Sequence, residues 1–307
     1  MAYYLGIDVG GTNLKYALMD ETGRISGQGA MQSPLASIND FQEAMRSICR
    51  QFPQAEALVM SAPGRIDSAN NYFYTGGSAK FIHEMFLTEV LPPEISLPAS
   101  VENDGKCAAL AELWQGSLKG VRNGAVMTLG TAIGGAVILD GKLYRGSTFA
   151  AGEFSYIPTL MEEPYYEEQI WGLKCGAGGL VRLYEKTAGL TPGSAYGYQF
   201  FAAVDRHDLL ALQVLRSWCR TLANGMLALQ SILDLDHFAI GGGISRQPAL
   251  LDMLSEVTDE LYAGLADYYP QHRPEITACT FGNDANLIGA LYHYLYETGH
   301  EKKIMLN

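Results

Sequence analysis

The 307 residues include 33 acidic and 21 basic side chains, for a formal net charge of −12, with 48% apolar and 18% charged residues. That balance predicts a globular chain of two domains and excludes a general nucleic-acid surface, which needs a basic face. Five scattered cysteines (Cys49, Cys107, Cys175, Cys219, Cys279) sit at no zinc or redox spacing, so free thiols in a reducing cytoplasm are expected.

Met1-Ala2-Tyr3-Tyr4 leads straight into an apolar run, with no signal-peptide pattern. Residues 3–9 read as a buried strand, Gly10-Gly11 as a turn and Leu14 to Met19 as the return strand. Glu21-Thr22-Gly23-Arg24 is a second turn before a short third strand near Ile25. Ile38 to Gln51 has helical spacing, with Ile38, Phe41, Met45 and Ile48 on one face and Asn39 or Asp40 near the cap. Ala57 to Ser61 is a short strand ended by Ala62-Pro63-Gly64, and 67–78 reads as a loop. Val101 to Asp104 leaves a strand and enters a helix reaching about Trp114, with Asn103 or Asp104 where a cap belongs.

Residues 116–123 resemble a linker. The opening theme then repeats, with a strand at Val126 to Leu129, a turn from Gly130 to Gly135 and a return strand at Ala136 to Leu139. Asp140-Gly141 is a second hairpin turn. The uncharged stretch 123–139 approaches membrane-spanning length, but its four glycines favour strand–turn–strand, so no membrane partner is expected. His207 to Leu235 is a long helical pattern and Phe238 to Ile240 a strand entering Gly241-Gly242-Gly243. Ala249 to Tyr268 and Asn286 to Tyr296 are helical. The order predicts an α/β fold.

Several segments offer chemistry. Asp8, Gly10, Gly11 and Thr12 combine an acid, bare backbone and a hydroxyl, which suits a Mg-bound triphosphate; an ordinary glycine hairpin is the alternative. Gly130-Thr131 mirrors that turn. Gly242-Gly243 could let a purine or ribose approach, or could be a flexible loop. Asp104 is the candidate general base, although on local sequence the N-cap of helix 104–114 is the favoured reading. Glu153 could accept hydrogen bonds from sugar hydroxyls or be a surface acid. Neither G-x-G-x-x-G after a first strand nor a P-loop is present.

Taken in order, Asp8-Val9-Gly10-Gly11-Thr12, Glu102-Asn103-Asp104, Leu129 to Gly135, Ala150-Ala151-Gly152-Glu153 and Gly241-Gly242-Gly243 resemble the ROK family of sugar kinases and sugar-responsive repressors. The resemblance runs from Tyr3 to about Leu291. It implies two actin/hexokinase-like (ribonuclease H-like) α/β domains with ATP and sugar in a cleft between them. The expected division is 1–117, completed by a C-terminal helix at 292–307, and 118–291. Carried over, Asp8 organises Mg2+ through water. Gly10, Gly11, Thr12, Gly130 and Thr131 contact phosphates, and Gly242 and Gly243 face the adenosine. Gly64, Asn103 and Glu153 bind the sugar, and Asp104 activates the attacking hydroxyl, usually the 6-hydroxyl of a hexose. A homodimer is implied as well.

The chain also departs from the family pattern. Tyr156 replaces the usual histidine. The usual zinc motif, C-x-C-G-x-x-G-C-x-E, aligns with 173–182, where only Cys175 survives and Arg182 takes the place of the sugar-contacting glutamate. One cysteine cannot supply a structural zinc site, so no zinc is expected. The altered pocket around Tyr156 and Arg182 favours a substrate substituted at the anomeric end, such as a β-glucoside. Tyr72, Tyr74, Tyr156, Tyr165 and Tyr166 could stack on a second ring or pack on loop edges. The alternatives are an N-acetylmannosamine kinase and a catalytically silent sugar-binding protein. A DNA-binding repressor is disfavoured, because only two residues precede the first strand.

Overall fold

The computed structural model describes residues 2–159, 170–268 and 272–298. The chain divides into two units. One comprises Met1–Gly116, Arg145–Ala151 and Asn283–Asn307, the other Ser117–Tyr144 and Gly152–Gly282.

In the first unit β1 (Tyr3–Val9), β2 (Asn13–Asp20) and β3 (Ile25–Gln32) form an antiparallel meander. It is followed by α1 (Ile38–Gln51), β4 (Ala57–Ala62), β5 (Ile66–Asp67), β6 (Tyr72–Phe73), β7 (Met85–Phe86), α2 (Leu87–Val90), β8 (Ala99–Asn103) and α3 (Asp104–Gln115). The main sheet runs β3-β2-β1-β4-β8, with β4 parallel to both β1 and β8. Alternation along β1 sorts its side chains. Leu5, Ile7 and Val9 enter a core with Phe41, Met45 and Ile48 of α1. Gly6 faces the other way, where a Cβ would meet Leu287, and Asp8 shares that face.

Two local expectations are corrected here. Helix α1 is capped by Ser37, whose hydroxyl accepts from the Asp40 N–H, rather than by Asn39 or Asp40. The 67–78 segment is not all loop, because β5, β6 and β7 pair into a small antiparallel sheet.

The second unit repeats the plan. Its elements are β9 (Gly124–Leu129), β10 (Ile133–Leu139), β11 (Lys142–Tyr144), α4 (Trp171–Cys175), α5 (Ala177–Ala188), α6 (Gly197–Asp205), α7 (Leu209–Leu233), β12 (His237–Gly241), α8 (Pro248–Leu265) and β13 (Glu275–Ala278). The sheet order β11-β10-β9-β12-β13 matches that of the first unit, with the same two antiparallel and two parallel pairings. Asp140 and Gly141 both take positive φ, as a tight hairpin turn demands. The core gathers Trp171, Phe200, Trp218, Leu222 and Phe238 beneath β9.

Helix α9 (Ala285–Tyr292) continues into a π-helical turn at His293–Glu297 and belongs to the first unit. It packs closely on α3, since a Cβ on Gly289 would lie 1.7 Å from the Cys107 carbonyl oxygen. Arg145 anchors its short segment to the same unit by pairing with Glu102 and Glu297. Among the described residues no helix is long and apolar enough to cross a membrane.

Candidate active site

The first unit collects its chemistry at the carboxyl ends of parallel strands, where open α/β sheets bind ligands. Register places Asp8 beside Ser61, and Ala62 beside Asn103. Asp8 is 4% exposed. Its Oδ1 accepts from the Ser61 hydroxyl at 3.1 Å and from Asn286 Nδ2 at 3.0 Å, and Lys15 Nζ lies 3.9 Å from Oδ2. Burial holds the Asp8 carboxyl above the usual range, and the Asn286, Lys15 and Ser61 contacts only partly offset this. Beyond β1 the Gly10 N–H donates to the Asn13 carbonyl, while Gly11 and Thr12 stand exposed. A Cβ on Gly10 would sit 2.7 Å from that same carbonyl oxygen. Ser33 braces the turn from behind, donating its hydroxyl to Gly10 O and its N–H to Thr12 O.

At the end of β8 the residues divide their work. Asn103, not Asp104, is the N-cap of α3: its Oδ1 accepts from the Lys106 N–H at 3.1 Å. The favoured local reading of Asp104 as the cap is therefore corrected. Asp104 is the first residue of the helix, and its Oδ1 accepts from the Gly105 N–H at 2.8 Å and Asn103 Nδ2 at 3.0 Å. Asn103 Nδ2 also donates to the Gly64 carbonyl at 2.9 Å, tying the Pro63-Gly64 turn to the start of α3. Only glycine fits at 64. Its φ is +102°, and a Cβ would lie 2.1 Å from the Thr75 carbonyl oxygen.

The second unit assembles its own group. The Gly130-Thr131-Ala132 turn joins β9 to β10, and Gly130 donates to the Ala132 carbonyl as Gly10 does to Asn13. Gly242 (φ +94°) comes so close to the end of β9 that a Cβ would lie 2.4 Å from the Leu129 carbonyl oxygen. The two glycine motifs, remote in sequence, are thus neighbours. Gly243 has open space around it. Ser155 clamps the hairpin, accepting from the Ile133 N–H and donating to the Ile133 carbonyl. Gly152 (φ +87°) fits against Gly135 and Ala136 of β10 and delivers Glu153, which is exposed.

Tyr156 is 67% exposed. Arg182 is also exposed and folds its guanidinium onto the Leu173 carbonyl. Cys175 packs inward, and burial pushes its thiol up to about 12. Gly176, beside it, abuts the Gly130-Thr131-Ala132 turn: a Cβ there would lie 2.6 Å from the Thr131 carbonyl oxygen. Tyr165 and Tyr166 lie outside the described residues. The sequence reading missed Asn286, Ser61 and Ser155, whose partners are distant in sequence, and Lys15, which the hairpin register sets directly across from Asp8.

Comparison with known proteins finds relatives over nearly the whole chain. A β-glucoside kinase from Klebsiella pneumoniae is 32% identical over 295 residues, covering 94% of each chain. Among solved structures, a ROK family protein from Streptococcus pneumoniae TIGR4 in complex with sucrose superposes with a TM-score of 0.85 at 28% identity, covering 98% of this chain and 99% of that one. A ROK family glucokinase from Streptomyces griseus in complex with glucose and AMPPNP gives 0.76 at 25% identity, covering 94% and 98%. The ROK family model matches residues 4–296, and the chain belongs to the ROK family.

Proposed function

We propose that this chain is an ATP-dependent sugar kinase transferring the γ-phosphoryl group to a sugar hydroxyl, with the 6-hydroxyl of a hexose or β-glucoside as acceptor. The observation that carries the reading is the division of labour at β8. Asn103 caps the helix, so the Asp104 carboxylate is not needed for capping and is held in place by two donors. That arrangement suits a base taking the proton of an attacking hydroxyl. The named relatives, a β-glucoside kinase and a glucokinase bound to glucose and AMPPNP, support the same class.

In this reading Asn103, Gly64 and Glu153 hold sugar hydroxyls, and Tyr156 and Arg182 border the anomeric end. Gly10, Gly11, Thr12, Gly130 and Thr131 supply N–H groups and hydroxyls to phosphate oxygens, and Gly242 and Gly243 let the adenosine approach bare backbone. Asp8 fits a Mg2+ ion held through water, since a buried carboxylate whose burial disfavours its ionised form gains from a nearby cation. Mg2+ supplies charge neutralisation for the triphosphate. Positioning and electrostatics then account for most of the catalysis. No structural zinc is part of the proposal, because Cys175 is the one cysteine at the positions matching the zinc motif and cannot by itself supply four ligands. Cytoplasmic location, a homodimeric assembly and no nucleic-acid partner complete the proposal.

The test is ADP release coupled to a dehydrogenase readout, with Mg-ATP and a panel of glucose, mannose, N-acetylmannosamine, gluconate and cellobiose. Turnover on a hexose or β-glucoside supports the reading. Binding without turnover on every sugar overturns it in favour of a silent sugar-binding protein.

A further inference from the structure

Phe149 has a φ of +62°, in the left-handed region that a bulky aromatic residue seldom occupies. The strain has a visible restraint. Lys106, 1% exposed and two residues beyond Asp104, donates its Nζ to the Phe149 carbonyl at 3.0 Å. Arg145, paired with Glu102 and Glu297, fixes the start of the same short segment. A strained backbone held by a buried ammonium group and an ion-pair network is a conformation the fold maintains, not an accident of a loop.

That conformation adds one ring to an aromatic run. Phe149 stacks with Tyr74 (centroids 6.2 Å apart, planes at 29°), Tyr74 meets Tyr72 edge-on at 5.1 Å, and Tyr72 packs on Phe86 at 4.9 Å. The Arg65 guanidinium lies 4.7 Å from the Tyr74 ring centre, which sets the orientation of Tyr74. Tyr74 is 37% and Phe86 49% exposed, while Phe149 and Tyr72 are half-buried beside them, so the run offers part of its ring surface to solvent at Tyr74. It also adjoins the acceptor turn. Asn103 holds the Gly64 carbonyl, and the next residue, Arg65, accepts from the Tyr74 N–H and donates its own N–H to Thr75 Oγ1.

We infer that Phe149 and Tyr74, extended by Tyr72, form the platform on which the second ring of a β-glucoside rests. The C–H face of a pyranose or the face of an aryl aglycone matches such rings. This inference rests on the proposed sugar-kinase reading and names the residues that select glycosides over free hexoses.

The test compares Phe149→Gly, which removes the ring and relieves the positive φ, with Tyr74→Leu and with Phe149→Tyr, which keeps a ring. Steady-state kinetics and calorimetric binding are measured with glucose, cellobiose and 4-nitrophenyl β-glucoside. The platform predicts that KM and Kd for the two glycosides rise about ten-fold in Phe149→Gly and Tyr74→Leu, the scale of one lost aromatic contact. Glucose kinetics stay within two-fold of wild type, and Phe149→Tyr restores glycoside affinity. An equal loss on glucose and glycosides overturns the platform, as does wild-type protein that phosphorylates glucose but binds neither glycoside. Absence of turnover on every sugar in wild type instead removes the kinase reading on which the platform depends.

Discussion

Replacing Asn103 by alanine removes two separable contributions. The first is the cap on α3, accepted from the Lys106 N–H at 3.1 Å and worth about 1 kcal/mol. The second is the bond from Nδ2 to the Gly64 carbonyl at 2.9 Å, worth about 1 kcal/mol net. Asn103 is only 6% exposed, so water cannot readily replace either partner. The sum, about 2 kcal/mol, lowers the melting temperature of the first unit, roughly 150 residues, by about 4–8 °C. Asn103→Ser keeps the cap but cannot reach Gly64, so it loses about half as much. Both variants remove the donor that fixes Asp104 Oδ1, and both therefore lose about ten-fold or more in kcat/KM for sugar. Scanning calorimetry and coupled kinetics on the three proteins measure the two effects independently. If the serine variant melts as low as the alanine variant, Asn103 does not cap α3. If it retains full sugar kinetics, Asn103 does not align the base.

Gly64→Ala introduces a Cβ 2.1 Å from the Thr75 carbonyl oxygen at a φ of +102°, so a loss of about 3 kcal/mol is expected, visible as a large fall in melting temperature. Gly242→Ala clashes instead with Leu129 and should raise KM for ATP more than KM for sugar, as separate titrations of the two substrates will tell. For Asp8 the sign follows from burial. The folded carboxyl protonates at higher pH than in the unfolded chain, so its contribution to stability is present below the unfolded value and lost as pH rises through the folded one. Asp8→Asn should thus melt higher than wild type at pH 7 yet fail to turn over, whereas equal or lower melting contradicts the assigned direction. In wild type, KM for Mg-ATP should rise on acidification at a pH above the ordinary carboxylate range. Elemental analysis of purified protein should find no stoichiometric zinc; one zinc per chain would contradict the reading of Cys175.

How much of this was legible in sequence depends on the range of the interaction. The bounds of β1 and α1 follow from apolar runs and helical spacing, and the strand–turn–strand repeat at Gly130 foreshadowed the matching sheet orders. The Ser37 cap was missed although Ser37-x-x-Asp40 carries a local signal, the hydroxyl and carboxylate three residues apart. The pairing of β5 with β6 was hidden by Asn70 and Asn71, which read as loop. No local pattern could reveal the Asn286–Asp8 or Lys106–Phe149 contacts, or the meeting of Gly242 with Leu129. They arise only once the sheet order brings chain ends and strand ends together. The proposed sugar side, with Tyr156 and Arg182 exposed, is where motif spacing informs least.

Everything proposed for the acceptor side turns on Asp104 acting as the base of a sugar kinase. Turnover and sugar affinity of Asp104→Asn, measured side by side, test it most directly. If Asp104 takes the proton, kcat falls about 10²–10⁴-fold while sugar Kd stays essentially unchanged. An asparagine variant that turns over at the wild-type rate contradicts it.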